Sequence, residues 1–134
     1  MQRSRRVTLA GMGFALLWAA APAAAGEAVW TAPDAEKAKV NPVARDAGVR
    51  DGRTKFNINC RLCHGPEGKG DGPAAAALNP KPRNLTSQEV QAETDGELFW
   101  KITTGRGAMP SWQLLPETDR WSLVHYIRTL AGKQ

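Results

Sequence analysis

Apolar residues occur along this chain in short runs, and stretches rich in glycine, proline and charged residues separate them. The clearest helical pattern covers residues 116–131 and stops before Gly132, with Glu117 and Asp119 in its first turn. Its apolar side chains recur at intervals that are typical of one helix face. They are Trp121, Val124, Ile127 and Leu130. The pattern therefore predicts a terminal helix that buries one side.

Shorter helices are predicted upstream of this one. Residues 46–59 form a first helix that ends at the cysteines, and residues 73–78 form an alanine-rich turn that begins with proline. A third helix covers residues 94–104, where Thr94 or Asp95 supplies the N-cap and a glycine follows the last turn. No run of β-branched residues alternates with polar ones, so no sheet is predicted. The expected fold class is all-α, with several short helices and long loops.

The N-terminal stretch has the pattern of a secretory signal peptide over residues 1–25. A positive start precedes an uncharged apolar run over residues 7–21, and alanines at 23–25 offer small residues for cleavage. The positive residues are Arg3, Arg5 and Arg6. We expect cleavage before Gly26 and a soluble mature protein in the bacterial periplasm. The alternative is a retained membrane anchor, and only then would the protein contact a membrane.

Processing of this kind changes both the size and the charge of the chain. The full sequence has 134 residues and a net charge of +5, whereas residues 26–134 number 109 and carry a net charge of +2. That small excess gives no reason to expect nucleic-acid binding. Glycine and proline supply 19 of those 109 residues. We therefore expect a loop-rich domain over residues 50–134, preceded by an extended arm over residues 26–49 with Trp30 against the domain surface. The short helices of such a domain offer little surface for packing, so we expect a further group, such as a cofactor, to complete its core.

The chemistry of the chain is concentrated in the motif Cys60-x-x-Cys63-His64, the attachment signature of c-type haem. The two thiols add to the porphyrin vinyl groups, and His64 binds the iron through Nε2. A closed zinc site needs about four protein ligands, and the other histidine, His125, is predicted on the solvent-facing side of the last helix. A thioredoxin-type dithiol needs a βαβ setting, and a plain disulfide leaves His64 unexplained. The sequence therefore predicts one covalent haem c.

The opposite axial ligand is predicted to be Met109. After cleavage before Gly26 it is the only methionine, and it lies 45 residues after His64, on a loop between two predicted helices and next to Pro110. A thioether favours the ferrous state and raises the reduction potential relative to a second histidine. The alternative is a methionine that fills the core, but a Gly-Ala-Met-Pro loop lacks the helical spacing of core positions.

Four motifs in this order resemble those of the class I cytochromes c, in the small bacterial periplasmic monohaem form. They cover residues 50–130 and begin with Gly52 and Phe56 before Cys-x-x-Cys-His-Gly. The others are Gly70-Asp71-Gly72-Pro73, Gly107-x-Met109-Pro110-x-Trp112, and Trp121 with Tyr126, Ile127 and Leu130. The resemblance implies a small cytochrome c fold wrapped round one covalent haem. Its haem-binding residues would be Cys60, Cys63, His64 and Met109.

The resemblance also implies roles for single residues. Gly52 would lie where the first and last helices cross closely. The carbonyl of Pro73 would accept the Nδ1 proton of His64 and so fix its ring. Arg106 and Trp112 flank the ligand loop, and such positions in the family often face a haem propionate. A solvated Arg106 and a core Trp112 are the alternatives.

The expected function is electron transfer by an iron that cycles between Fe(III) and Fe(II), without enzymatic activity. An iron with both axial positions filled by the protein leaves no place for a substrate, and nothing else in the chain looks catalytic. The expected partners are redox proteins, with no nucleic acid and no small-molecule substrate. One alternative is a haem subunit of a larger periplasmic oxidoreductase, in which the 26–49 arm binds the catalytic partner. Another is a ligand-binding or sensing haem, which requires Met109 to be off the iron. Four basic residues either form a docking surface for a partner or are separate side chains exposed to solvent. They are Lys69, Lys81, Arg83 and Lys101.

Overall fold

The computed structural model describes residues 29–132, which form six helices and one 3₁₀ turn. In chain order these are α1 (Asp34–Lys37), α2 (Arg45–Asn59), α3 (Arg61–His64), the 3₁₀ turn Ala75–Ala77, α4 (Gln88–Ala92), α5 (Asp95–Thr104) and α6 (Glu117–Arg128). Extended pairing in this part of the chain is limited to one bridge between Arg106 and Met109. The all-α prediction is therefore confirmed. The predicted signal peptide lies outside the described residues, and no helix within them is long and apolar enough to cross a membrane.

The centre of the fold is the crossing of α2 and α6. A side chain at Gly52 on α2 would collide with the carbonyl oxygen of Ser122 on α6. The absence of a side chain at Gly52 therefore permits the two backbones to approach, at the position that the resemblance implied. The rings of Phe56 and Tyr126 pack beside the crossing with their centroids 5.1 Å apart. Both aromatic residues belong to the buried core.

Helix α5 packs against α6 on the other side of the core. Its N-cap is Thr94, whose side-chain oxygen accepts a hydrogen bond from the backbone N–H of Glu97 at 3.1 Å. The rings of Phe99 on α5 and Trp121 on α6 stack at 3.9 Å between centroids, with their planes 12° apart. Stacked aromatic pairs of this kind contribute beyond the area that they bury. They fix α5 against the α2–α6 pair.

The segment over residues 29–44 packs on α5 and contains a helical turn, α1, which an extended arm does not have. A side chain at Gly96 on α5 would collide with the carbonyl oxygen of Glu36 in α1. The rings of Trp30 and Trp100 lie 6.3 Å apart, and Ala32 is buried. The segment is thus part of the packed structure over this range.

His125 on α6 is buried, although its polar neighbours in sequence predicted a solvent-facing side. Its Nε2 donates a hydrogen bond to the carbonyl oxygen of Val43 at 2.8 Å. Asn41 also donates to the backbone carbonyl of Trp121 at 3.0 Å. The prediction was wrong because residues 41–48 cover this side of α6. The polar spacing of α6 alone does not reveal that cover.

Candidate functional site

The three residues of the haem signature lie on one helical turn. Cys60 is both the C-cap of α2 and the N-cap of α3, and α3 carries Cys63 and His64. The carbonyl oxygen of Cys60 accepts hydrogen bonds from the backbone N–H groups of Cys63 at 3.1 Å and His64 at 2.9 Å. Because positions i, i+3 and i+4 share one face of a helix, the turn presents both sulfurs and the imidazole on the same side.

Both thiols of this turn are free and half-buried. Burial, together with the smaller effect of the neighbouring Cys63, raises the pKa of the Cys60 thiol to about 12. No group of three or more histidine, cysteine or acidic side chains that could hold a metal ion occurs within residues 29–132. The donor set of a structural zinc site is thus not assembled in this part of the chain.

His64 is oriented by the backbone of a distant loop. Its Nδ1 lies 3.1 Å from the carbonyl oxygen of Arg83. A carbonyl can only accept, so Nδ1 carries the proton and the neutral ring keeps its lone pair on Nε2. Burial lowers the pKa of His64, and the hydrogen bond to Arg83 opposes that change. This neutral tautomer is the form that binds iron through Nε2.

The carbonyl that meets His64 is therefore that of Arg83 and not that of Pro73. Pro73 sits where the chain returns along α3, since Gly72 donates to the carbonyl of Cys63 at 3.1 Å and Ala74 to that of Leu62 at 3.0 Å. The loop around Pro73 therefore lies along the α3 backbone. The imidazole is met instead by the later loop that contains Arg83.

The glycine-rich loop after His64 makes room for that later loop. The backbone N–H of Gly70 donates to the carbonyl of His64 at 2.8 Å. Gly70 has a φ of 79°, a conformation that favours glycine, and a side chain there would collide with the carbonyl oxygen of Pro82. The N–H of Leu85 then donates to the carbonyl of Gly68 at 2.7 Å. Residues 82–85 are thus held beside His64.

Met109 is presented by a tight turn between α5 and α6. Its backbone exchanges two hydrogen bonds with Arg106, at 2.9 and 3.0 Å. The side chain of Met109 is half-buried and packs against the same core cluster as Cys60 does. The backbone N–H of Trp112 donates to the carbonyl of Ile102 at 3.1 Å, and the ring of Trp112 also packs on that cluster. The methionine loop is therefore anchored at both ends to α5 and the core.

The donors of this site suit covalent haem. Two free thiols and one neutral imidazole lie on a single turn, and a second backbone element fixes the imidazole. A thioether on an anchored loop is the soft donor that such an iron accepts. Lys101, one of the four basic residues considered for a docking surface, is instead buried in ion pairs with Glu93 and Glu97.

The comparisons with known proteins point in the same direction. The sequence model of the family described as cytochrome c oxidase, cbb3-type, subunit III matches residues 47–127, more than half of the chain. A chain of the Kuenenia stuttgartiensis reducing HAO-like protein complex Kustc0457/Kustc0458 is similar in structure, with a TM-score of 0.61 and 27% sequence identity. That likeness covers 68% of this chain and 47% of the other, so this chain spans about half the length of its structural relative. The comparison with curated proteins gives no match.

The family match and the donor set agree on the chemistry. Cytochrome c domains carry covalently bound haem c and transfer electrons, and they are typically exported proteins. The general resemblance to cytochromes c is confirmed, whereas the small class I monohaem form stays a prediction. The chain therefore belongs to the family described as cytochrome c oxidase, cbb3-type, subunit III, and has an all-α cytochrome c fold, a domain type that binds haem c.

Proposed function

We propose that this protein is an exported electron carrier in which Cys60 and Cys63 attach a single haem c and His64 and Met109 hold its iron. The observation that carries the proposal is the 3.1 Å hydrogen bond between Nδ1 of His64 and the carbonyl oxygen of Arg83. A metal-ligating histidine is usually held in this way, since the bond fixes both its tautomer and its ring orientation. The bond leaves Nε2 as the lone-pair nitrogen.

Each residue of the proposed site has a distinct task. When bound, haem c would supply a one-electron Fe(III)/Fe(II) couple. Cys60 and Cys63 would keep it attached in a dilute compartment, and His64 would offer a strong, oriented nitrogen donor. Met109 would offer a thioether, which favours the reduced state. If His64 and Met109 both hold the iron, the haem would have no place for a substrate and would act only as an electron carrier.

The surface beside the Cys60-x-x-Cys63-His64 motif suits contact with a protein partner. Ile58 and Leu62, on either side of Cys60, are 73% and 63% exposed, and Leu114, after the methionine loop, is 94% exposed. Large apolar side chains exposed near a cofactor site are typical of protein contacts. The net charge of residues 26–134 is small, so this docking is not expected to depend on strong electrostatic steering.

Mass spectrometry and absorption spectroscopy test the proposal together. The chain is produced with a c-type haem maturation system and analysed under denaturing conditions. We expect the mass of residues 26–134 plus one haem that resists acid-acetone extraction, and a spectrum that changes on reduction. Haem that is extracted by acid-acetone would contradict covalent attachment. A chain that keeps residues 1–25 in the membrane fraction would contradict export as a processed protein.

A second candidate is a haem subunit of a larger oxidoreductase. Two observations favour it: the structural relative belongs to a protein complex, and the match covers only 47% of that relative's chain. Gentle purification from the native source separates the two candidates. A stoichiometric partner that stays bound indicates a subunit, and a monomeric product indicates a diffusing carrier.

A further inference from the structure

A cluster of four charged side chains lies next to the loop that holds His64. Lys101 on α5 is 8% exposed, and its Nζ contacts Glu93 at 2.7 Å and Glu97 at 3.0 Å. The guanidinium of Arg83 contacts the same Oε1 of Glu93 at 2.9 Å. Two cations thus face two carboxylates within the cluster. Buried charges persist in proteins when they are paired in this way.

Glu93 is the fixed point of this cluster. It lies between α4 and α5, and its backbone carbonyl accepts a hydrogen bond from Arg128 of α6 at 2.5 Å. The guanidinium of Arg128 is held in turn by Asp95 at 2.8 Å. The carboxylate of Glu93 is shielded from solvent and receives Lys101 and Arg83 on one oxygen. Both ends of Glu93 are therefore anchored to helices of the core.

The N-terminal segment closes the cluster from outside. The ring of Trp30 lies 5.6 Å from Nζ of Lys101. The backbone N–H of Ala32 donates to Glu97 at 3.4 Å. A cation under an aromatic face is stabilised when water is excluded from it. The segment therefore helps to keep Lys101 in contact with Glu93.

The cluster and the histidine meet at Arg83. The side chain of Arg83 is half exposed and held by Glu93, while its backbone carbonyl accepts the Nδ1 proton of His64. We propose that Glu93, held by Lys101, is a positioning residue that fixes the Arg83 carbonyl at His64. This rests on the proposed function, in which His64 binds the haem iron. Glu93 acts through Arg83 and does not itself touch His64.

This arrangement has a chemical consequence for the iron. A hydrogen bond from Nδ1 raises the basicity of the ligating Nε2 and favours the oxidised iron. A looser Arg83 carbonyl would weaken that bond and raise the reduction potential. It would also expose the Nδ1 proton of His64 to exchange with solvent. Both effects can be measured in the loaded protein without any redox partner.

The test compares the Glu93→Gln variant with the parent protein, both loaded with haem and reduced. NMR follows the exchange of the His64 Nδ1 proton with solvent, and a titration gives the potential. We expect exchange to be about tenfold faster in the variant, the upper range of one net hydrogen bond, and a higher potential. The variant should fold, because Lys101 keeps its ion pair with Glu97.

Three further variants serve as controls in this test. Asp119→Asn removes the same charge from the 2.6 Å pair with Lys55, which joins α2 to α6, and should leave exchange and potential unchanged. Arg83→Lys keeps a cation for Glu93 and should stay close to the parent, whereas Arg83→Ala should behave like Glu93→Gln. Parental exchange and potential in Glu93→Gln and Arg83→Ala would overturn the proposal. A parent protein without a histidine-ligated haem would overturn the proposed function instead.

Discussion

The two histidines in the described part of the chain differ in the ring nitrogen that donates a hydrogen bond, and this difference decides which of them can bind a metal through Nε2. His64 donates through Nδ1 to Arg83, and His125 donates through Nε2 to Val43. A neutral imidazole has one donor and one acceptor nitrogen, so His64 keeps a free Nε2 and His125 does not. The bond of His125 ties α6 to the N-terminal segment. His125 is therefore a structural residue that is held in the interior by this hydrogen bond, whereas the sequence predicted that it faces solvent.

At the residue scale the first prediction concerns Met109→Ala. The variant removes the thioether that we propose as the second axial donor, and alanine offers no replacement. We expect the reduction potential to fall, because a thioether favours the ferrous state. We also expect carbon monoxide to bind the reduced variant readily, whereas the parent resists it. A redox titration and carbon monoxide difference spectra measure both effects.

Met109→His is the matched control for this prediction. It keeps a strong axial donor on the same loop, so it should resist carbon monoxide while its potential also falls. Fast carbon monoxide binding by the parent, or an unchanged potential in Met109→Ala, would refute the ligation by Met109. The sensing alternative would then become the better explanation.

Residue-level prediction from the sequence depends on local signals. Cys60, Cys63 and His64 are assigned to haem from their spacing, and the structure places all three on one turn; their role in binding haem stays a prediction. The partner of His64 was assigned to Pro73, and the structure gives Arg83, which is 19 residues from His64. A hydrogen bond across that distance depends on how two loops pass each other, which sequence spacing does not determine.

At the element scale the helices depend on close backbone contacts at two glycines. Gly52 allows α2 to cross α6 at Ser122, and Gly96 allows α1 to lie on α5 at Glu36. The sequence predicted α2, α5 and α6, which have 15, 10 and 12 residues. It missed α1, α3 and α4, which have four, four and five residues. Helices of that length are marginal alone and form through tertiary contacts.

The second prediction tests the contact at Gly96. In isolation Gly96→Ala would stabilise α5 by about 1 kcal/mol, because glycine is a poor helix former. In the protein the new side chain would collide with the Glu36 carbonyl, and overpacking of this kind costs about 1–3 kcal/mol. We expect lower stability in denaturant titrations and faster proteolysis of residues 29–44.

Gly52→Ala provides the comparison for the element scale. It should reduce stability throughout the molecule, since the α2–α6 crossing is central, whereas Gly96→Ala should loosen mainly the N-terminal segment. Equal proteolysis of that segment in the parent and in Gly96→Ala would refute the packing of α1 on α5 as a stabilising contact.

At the scale of the whole molecule, the haem motif and the methionine loop pack against the same hydrophobic core. Cys60, Met109 and Trp112 all pack against the cluster built by α2, α5 and α6. The region between α3 and α4, residues 65–87, is mostly loop and is held by backbone hydrogen bonds and one short 3₁₀ turn. Loops of this length have few apolar contacts of their own. A haem held by Cys60, Cys63 and His64 would therefore carry part of the stability of the fold.

The third prediction is that Cys60→Ser combined with Cys63→Ser abolishes covalent haem and cooperative folding together. A ligand that binds only the folded state adds its binding free energy to the stability of the protein, and a covalently attached one cannot dissociate. Circular dichroism during thermal unfolding, with absorption to report haem, measures both losses. The parent protein made without haem maturation is the control, because it keeps both thiols but lacks the cofactor. It should melt as poorly as the double variant if haem is the stabilising element. A sharp cooperative transition in the haem-free double variant would show instead that α2, α5 and α6 suffice for the fold, and the role of haem would then be confined to electron transfer.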